Sequence, residues 1–220
     1  SLVYDKIRLG VAVLLYLCAT SWADAKVKLP ALISDGMVLQ REQSVKVWGT
    51  ADAGENITIE FQKKSYHATA DANGQWSITL PPLKAGGPFL MQINDIKLND
   101  ILVGDVWLCS GQSNMELPVK RVMDMFSNEI LNYNNEKIRH ILIPQKYNFH
   151  APQEELSETG WKTLTQENVM DFSALAYFFA KEIFITRIIC MCDDIFYYVV
   201  SDFNNMWKVM EFQQQIYCLL

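Results

Sequence analysis

The sequence has 220 residues, of which 50% are hydrophobic, and a formal net charge of -6 with a pI near 5.1. This length can bury a sizeable core, either as one large domain or as two smaller ones. The acidic balance contains no cluster of Lys and Arg that would neutralise phosphates, which argues against nucleic acid as a partner.

Residues 1–25 are predicted to be a signal peptide. Two basic residues precede an apolar run from Leu9 to Ala19, and the small residues Ala23 and Ala25 follow it. That run is shorter than the roughly 20 residues that cross a bilayer, so an export signal is favoured over a membrane helix. We therefore expect an exported protein, periplasmic or extracellular, with no integral membrane segment after signal removal.

The five cysteines indicate neither a disulfide framework nor a zinc site. Cys18 lies in the predicted signal and Cys109 in an apolar run, whereas Cys190, Cys192 and Cys218 stand near the C-terminus without a nearby histidine. A zinc site normally needs four ligands. We expect no metal and no cofactor.

Residues 26–101 are predicted to form a β-sandwich domain. Short β-rich runs are separated by turn residues, and Ile57 and Ile59 alternate with Thr58 and Glu60 as in a sheet with one wet face. The predicted strands are residues 37–40, 44–48, 56–61, 66–70, 75–80 and 89–93.

Residues 102–183 are predicted to begin an α/β layer with parallel strands. An apolar strand over residues 102–109 precedes a polar turn, a helix over about residues 119–131 and a second apolar strand over residues 138–143. A polar loop of about 20 residues follows, and a helix is predicted over residues 174–183. Its apolar face would use Leu175, Phe178, Phe179 and Ile183.

Residues 184–220 are interpreted as an atypical tail, because they contain no Gly and no Pro. Average usage would give roughly four or five in this length. We expect no further strand there, and a change of reading frame would explain such a sequence. An unusual helical extension is the alternative.

The turn Gly111-Gln112-Ser113-Asn114-Met115 carries the candidate chemistry. A serine at a tight strand-to-helix turn can be a nucleophile if a base and an oxyanion hole are supplied. Alternatively, Ser113 only caps the following helix. Gly111 would let the backbone turn sharply, and Gln112 and Asn114 would shape the site or stabilise the turn.

Several motifs resemble the sialate O-acetylesterase family, a branch of the SGNH hydrolases, and together cover about residues 29–183. Besides the serine turn they are Asp35-Gly36-Met37-Val38-Leu39-Gln40-Arg41, Val45-Lys46-Val47-Trp48-Gly49, Gly74-Gln75-Trp76, Gly86-Gly87-Pro88, Val103-Gly104-Asp105-Val106-Trp107 and the run Phe172 to Ala180. The resemblance implies an exported carbohydrate esterase that acts on O-acetylated sialic acid or another acetylated carbohydrate. It also implies a β-sandwich attached to an SGNH-hydrolase-like α/β domain.

By the same resemblance Ser113 is the nucleophile, and its backbone N–H is one oxyanion donor. The family's catalytic histidine lies in an Asp-x-x-His motif, which has no counterpart after Ser113. The fold is therefore predicted to be incomplete at the C-terminus, after about residue 183. His140 or His150 could approach Ser113 as a substitute base, and Asp105 is assigned a strand-start or local pairing role rather than that of the catalytic acid.

Three functions follow from these observations. The first is a sialate O-acetylesterase-type serine hydrolase with little or no activity in this chain. The second is a non-catalytic fragment that contacts carbohydrate or gives structural support. The third is a sugar-binding module that uses Trp48 and Trp76, although aromatic residues at strand spacing more often belong to a core.

Overall fold

Eleven strands and two helices make up the part of the chain that the computed structural model describes, which is residues 27–110, 114–143, 159–189, 196–201 and 217–219. The strands are β1 (Val38–Gln40), β2 (Val45–Thr50), β3 (Asn56–Phe61), β4 (Lys64–Thr69), β5 (Gln75–Leu80), β6 (Gly86–Ile93), β7 (Ile96–Ser110), β8 (Asn135–Leu142), β9 (Lys162–Leu164), β10 (Phe196–Ser201) and β11 (Tyr217–Leu219). The helices are α1 (Met123–Leu131) and α2 (Ala174–Ile189), with 3-10 turns at Val119–Arg121 and Val169–Asp171. The result is a mixed, sheet-dominated α/β fold.

Strand β7 lies inside the large sheet, whose strand order is β4-β3-β6-β7-β10-β8-β9. Its first part pairs antiparallel with β6, and residues 102–104 pair in parallel with β1. Its last part pairs in parallel with β10 and β11. We predicted this strand only from residue 102, because polar residues such as Lys97 and Asn99 interrupt the apolar pattern before it. One strand thus crosses the predicted domain boundary.

The N-terminal core lies between the large sheet and a separate two-stranded sheet, β2–β5. Inward-facing residues of β2 and β5 share one buried cluster with those of β3, β6 and β7. The predicted strands over residues 56–61 and 75–80 are confirmed at both ends. Trp76 is 4% exposed and belongs to this cluster, so it is not an exposed sugar platform as the third hypothesis required. Trp48 is half-buried.

Helix α2 covers one face of the parallel part of the sheet. The second buried cluster joins Cys109 and Ile138 to the α2 residues Ala176, Tyr177, Ala180 and Phe184. Of the predicted apolar face, Phe178 and Ile183 pack half-buried against this cluster and Phe179 contacts Trp107 of β7, whereas Leu175 is 45% exposed. Small alanines face the sheet because they let the helix axis approach it closely, which a ranking by hydrophobic size misses. Neither described helix is long and apolar enough to cross a membrane.

The N-terminal segment covers the opposite face of the same strands. Val106 and Leu108 of β7 and Ile141 of β8 lie in the first buried cluster, together with Leu32 and Ile33. Successive strand residues point to opposite faces, which explains why neighbours in β7 belong to different clusters. The chain before β1 therefore covers this face of the parallel strands, as α2 covers the other face.

The expectation of no strand after the second helix is wrong. Strand β10 lies between β7 and β8 and pairs in parallel with both, and β11 pairs in parallel with β7. A continuous apolar run such as residues 196–200 cannot be assigned to strand or helix by periodicity alone. The short strand β9 was likewise missed, inside the predicted polar loop, where it pairs with β8.

Replacing Gly49 tests the close packing of the N-terminal core. A Cβ at Gly49 would lie 2.3 Å from the carbonyl oxygen of Lys28 and 2.8 Å from the ring of Trp76. Because a backbone atom cannot move aside cheaply, we expect Gly49→Ala to cost about 2–3 kcal/mol of unfolding free energy. Thermal melting should fall by about 5–10 °C.

The matched control is Gly160→Ala, where a Cβ would have no neighbour within 4 Å. This variant should melt within about 2 °C of the unmodified chain, as surface substitutions usually do. Equal melting temperatures for the two variants would contradict the packing described at Gly49.

Candidate active site

The two sides of the serine turn are described, and its centre is not. Gly111, Gln112 and Ser113 lie outside the described residues, as does His150. Strand β7 ends at Ser110, and the description resumes at Asn114, an exposed turn residue. The Asn114 carbonyl accepts a hydrogen bond from the Leu117 N–H at 3.3 Å. The described contacts of the site therefore lie on the two sides of this turn.

On the strand side, Gln40 and Arg41 bind the middle of β7. Strand β1 ends with Gln40 opposite Gly104, and the Arg41 N–H donates to the Gly104 carbonyl at 2.8 Å. The buried Gln40 side chain then accepts the Val106 N–H through Oε1 at 2.8 Å. Beyond the last residue of β1, the Gln40 side chain thus replaces a backbone carbonyl as the acceptor for the buried Val106 N–H.

Asp105, one residue earlier, pairs with Arg41. The Arg41 Nε atom lies 2.9 Å from Asp105 Oδ1, and the aspartate side chain is 3% exposed against 22% for the arginine. A buried carboxylate needs a charged or hydrogen-bonding partner. Asp105 is therefore paired rather than left as a catalytic acid, but the expectation of a local partner is wrong, because Arg41 is 64 residues distant in the sequence.

Arg139 joins the second parallel strand to the same region. This β8 residue is 3% exposed, and its Nη1 atom donates to the carbonyl oxygens of Gly36, at 2.8 Å, and Asp100. Its Nη2 atom lies 2.7 Å from Asp100 Oδ1. Gly36 has a φ of +74°, and a Cβ there would lie 3.4 Å from the guanidinium. Sequence reasoning gave Arg139 no role, because a lone arginine in an apolar strand does not reveal its acceptors.

On the far side of the turn, the chain pairs with the start of α2. The Val119 N–H donates to the Phe172 carbonyl at 2.8 Å, and the Ala174 N–H donates to the Leu117 carbonyl at 2.8 Å. We call these two bonds, which enclose the bridge between Pro118 and Ser173, the turn bridge.

Ser173 has two further contacts at this point. Its Oγ atom accepts the Ala176 N–H at 3.3 Å, as the side chain of a serine before a helix commonly does. The same Oγ lies 3.9 Å from the sulfur of Met115, and both side chains are buried. The residue two positions after Ser113 is therefore packed against the first turn of α2.

His140 is unsuited to be the base for Ser113. Tyr198 of β10 is paired with His140 on one side and with Trp107 of β7 on the other, and Trp107 is six residues before Ser113. The ring centroid of His140 is 3.7 Å from that of Phe172. The pKa of His140 is lowered to about 3, chiefly by burial and also by the positive charge of Lys162, while Asp171 opposes the shift. An imidazole that resists protonation this strongly cannot take the proton of a serine.

His67 lies far from the serine turn. It is an exposed residue of β4, at the edge of the large sheet, with Nδ1 3.2 Å from Thr58 Oγ1. Strands β3 and β6 separate β4 from β7. Neither of the two histidines in the described part of the chain reaches the end of β7.

Known proteins similar to the chain are esterases. Human sialate O-acetylesterase is 28% identical over 200 residues, a match that covers 81% of this chain and 38% of that protein. The mouse protein of the same name is 30% identical over 130 residues, covering 52% of this chain and 24% of that protein. The crystal structure of a carbohydrate acetylesterase from Xanthomonas citri is 35% identical with a TM-score of 0.73, covering 80% of this chain and 40% of that one. No protein-family profile matches.

These similarities confirm the resemblance to the sialate O-acetylesterase family that the motifs carry. They also agree with the sheet-dominated α/β architecture, because the structural match extends over 80% of the chain. The chain spans about two fifths of the length of the human and orangutan relatives it matches.

The Arg41–Asp105 pair should stabilise the strand that leads to the serine. Arg41→Met leaves a carboxylate that is 3% exposed without its guanidinium, and we expect it to cost about 3 kcal/mol of unfolding free energy. Adding Asp105→Asn removes the uncompensated charge, so the double variant should be more stable than additivity predicts by at least about 1 kcal/mol. Urea unfolding of the four chains measures this coupling, and additive effects would exclude it.

His140 should make stability depend on pH. Its folded pKa of about 3 lies below the ordinary 6.5, so the unfolded chain binds the proton first as the pH falls. The stability is therefore fully present above about pH 6.5 and is lost as the pH falls toward 3. Relative to His140→Gln, the unmodified chain should lose about 1.4 kcal/mol per pH unit between about pH 6 and 4. Exposed His67→Gln is the control, and the same pH-dependent difference there would contradict the assignment.

Proposed function

We propose that this chain carries the nucleophile of a serine esterase that removes acetyl groups from O-acetylated sialic acids or related sugars. The observation that carries the proposal is the similarity to a carbohydrate acetylesterase at 35% identity and a TM-score of 0.73, with Ser113 in the motif typical of the family. The buried contacts on both sides of the serine turn support it, because a nucleophile needs a fixed position.

In the proposed reaction, Ser113 Oγ attacks the carbonyl carbon of the acetyl ester. The C–O bond to the sugar then breaks, the sugar oxygen takes a proton and leaves, and an acetyl-serine remains for water to hydrolyse. The Ser113 N–H stabilises the negative oxygen of each tetrahedral intermediate. Gly111 allows the sharp turn, while Gln112 and Asn114 support it by hydrogen bonding. No metal or cofactor enters this scheme.

The proposal includes impaired activity, because neither histidine in the described part of the chain is placed to act as the base for Ser113, and His150 lies outside that part. His140 is buried with a pKa near 3, and His67 lies at the edge of the sheet. No Asp-x-x-His motif follows Ser113 in the sequence. A serine hydroxyl without a base is a poor nucleophile, and removing members of a catalytic triad costs several orders of magnitude in rate.

The finer organisation belongs to the same proposal. Residues 26–101 are taken as a β-sandwich domain and residues 102–183 as the first part of an SGNH-hydrolase-like domain. The shared core of β2, β5 and the large sheet supports the first assignment. The order of β7, α1 and β8 along the chain supports the second, and β10, at residues 196–201, adds a parallel strand between β7 and β8 from beyond that range. Residues 1–25 are proposed to direct export to the periplasm or the extracellular space.

A second candidate is non-catalytic carbohydrate binding. A shallow depression of about 450 Å³ on the β3–β4 hairpin is lined by Asn56, Thr58, His67 and Thr69, among others. Hydroxyl, amide and imidazole groups are suited to bind sugar hydroxyls. Here binding, rather than hydrolysis, would depend on the hairpin.

Hydrolysis of 4-nitrophenyl acetate and of O-acetylated sialic acid, with and without added imidazole, separates these functions. We expect Ser113-dependent hydrolysis about 10⁶-fold slower than that of a complete related esterase. Imidazole supplies the base, so, after the hydrolysis by imidazole alone is subtracted, it should raise the rate of the unmodified chain but not of Ser113→Ala.

Fast Ser113-dependent hydrolysis without imidazole would contradict the impairment. Identical rates for the unmodified chain and Ser113→Ala under all conditions would contradict the esterase. Sialoside binding that His67→Ala abolishes and Ser113→Ala preserves would then favour the second candidate.

A further inference from the structure

We propose that Asn73 is a site of spontaneous deamidation, and that the turn between β4 and β5 controls how fast it reacts. Asn73 is followed by Gly74, and this is the one Asn-Gly pair in the sequence. Both residues lie in the turn 71–74, which leads from the large sheet to the two-stranded sheet. The proposal is independent of the esterase, because it concerns neither Ser113 nor the residues around it.

The nucleophile of this reaction is the backbone nitrogen of the residue after the asparagine. The Gly74 nitrogen gives up its proton to a base in the solvent and bonds to Cγ of Asn73. The Cγ–N bond of the side-chain amide then breaks, and the leaving nitrogen takes a proton and departs as ammonia. Water opens the resulting succinimide ring at either carbonyl, which leaves aspartate or isoaspartate. A glycine at the second position favours the attack, because it has no Cβ to hinder its nitrogen.

The fold requires a glycine at this position. Gly74 has a φ of +75°, and a Cβ there would lie 2.3 Å from the carbonyl oxygen of Ala51. The glycine is buried, and its carbonyl accepts the Ala51 N–H at 2.8 Å. Any other side chain is therefore excluded by both conformation and contact. Asn73, in contrast, is exposed, so its amide is in contact with water. The glycine that makes Asn73 reactive is thus fixed by its packing against Ala51.

The same turn holds the attacking nitrogen in a hydrogen bond. The Gly74 N–H donates to the Asp71 carbonyl at 2.9 Å. The Oδ1 atom of Asp71 accepts the N–H groups of Asn73, at 2.8 Å, and Gln75, at 2.9 Å. Before the Gly74 nitrogen can reach Cγ, its hydrogen bond must break and the backbone beside it must rotate. Deamidation therefore proceeds from an opened turn, and its rate measures how often the turn opens.

Isoaspartate does not fit the closed turn. It adds one methylene group to the main chain, so the hydrogen bonds on the two sides of residue 73 cannot all form again. Either product also adds a carboxylate close to that of Asp71, and like charges repel. Gln75, the first residue of β5, pairs with Thr50 of β2, so the change reaches the two-stranded sheet. We expect the isoaspartate form to melt about 2–6 °C below the unmodified chain.

The experiment follows deamidation of the full chain at mildly alkaline pH, folded in buffer and unfolded in guanidinium chloride. Mass spectrometry of the peptide that contains residue 73 measures the rate, and isoaspartyl methyltransferase labelling identifies isoaspartate. We expect the folded chain to react at least about tenfold more slowly than the unfolded chain, because opening breaks several hydrogen bonds. Asp71→Ala removes two of them and should raise the folded rate at least about tenfold, with no effect on the unfolded rate. Asp71→Asn is the matched control, because it keeps an oxygen acceptor, and its folded rate should stay within about threefold of the unmodified chain.

Each remaining result decides the proposal. Absence of deamidation at residue 73 in the unfolded chain would overturn the site. Equal rates in the folded and unfolded chain would overturn control by the turn, as would equal folded rates for Asp71→Ala and Asp71→Asn. If Asp71→Ala does not fold, guanidinium chloride below the unfolding transition replaces it as the means of opening the turn. Deamidation that rises together with hydrogen exchange of the Gly74 amide then supports the proposal, and deamidation that stays constant while this exchange rises overturns it.

Discussion

The structure depends on β7, one strand of 15 residues of which residues 101–109 are largely buried. The buried backbone N–H and C=O groups of that part need partners within the protein. Four strands and one side chain supply these partners in turn, from β6 and β1 at the start to β10 and β11 at the end. Gln40 binds the Val106 N–H just beyond the end of β1. The strand ends at Ser110, three residues before the candidate nucleophile Ser113 in the sequence, so these partners fix the chain where the serine turn begins.

This constraint explains why the motif Asp35 to Arg41 accompanies the serine turn, although the two are far apart in the sequence. Asp35 accepts the Asn99 N–H, the Gly36 carbonyl accepts from Arg139, and Gln40 and Arg41 bind Val106 and Asp105. All of these contacts concern β7 or the strand β8 next to β10. The motif therefore supplies hydrogen-bonding partners to polar groups of β7 and β8. A buried polar group that has no partner lowers the stability of the fold. The motif has no need to touch a substrate.

The sequence predicted what depends on local patterns. Alternation gave β3 and β5 to the residue, and the apolar spacing gave the start of α2 at Ala174. The sequence did not predict the role of Arg139 or the partner of Asp105, since long-range pairs leave no trace in periodicity. It placed Phe178 and Ile183 on the inner side of α2, where they lie, but it missed the alanines that pack there and included the exposed Leu175. The serine turn was found by its motif, whereas its support by residues 172–174 depends on backbone bonds that any residue except proline can make.

The arrangement of the two cores argues against the N-terminal layer being a detachable sugar-binding module. Leu32, Ile33, Val106, Leu108 and Ile141 form part of one buried cluster, so removing the layer would expose one face of the parallel strands. That cost scales with the apolar area exposed, at about 25 cal/mol per Å². Trp76, the residue best suited to stack on a sugar, is occupied in the same cluster. The aromatic and apolar residues of this layer pack against β7. The layer is therefore better understood as structural support for the strand that leads to the serine than as a separate binding domain.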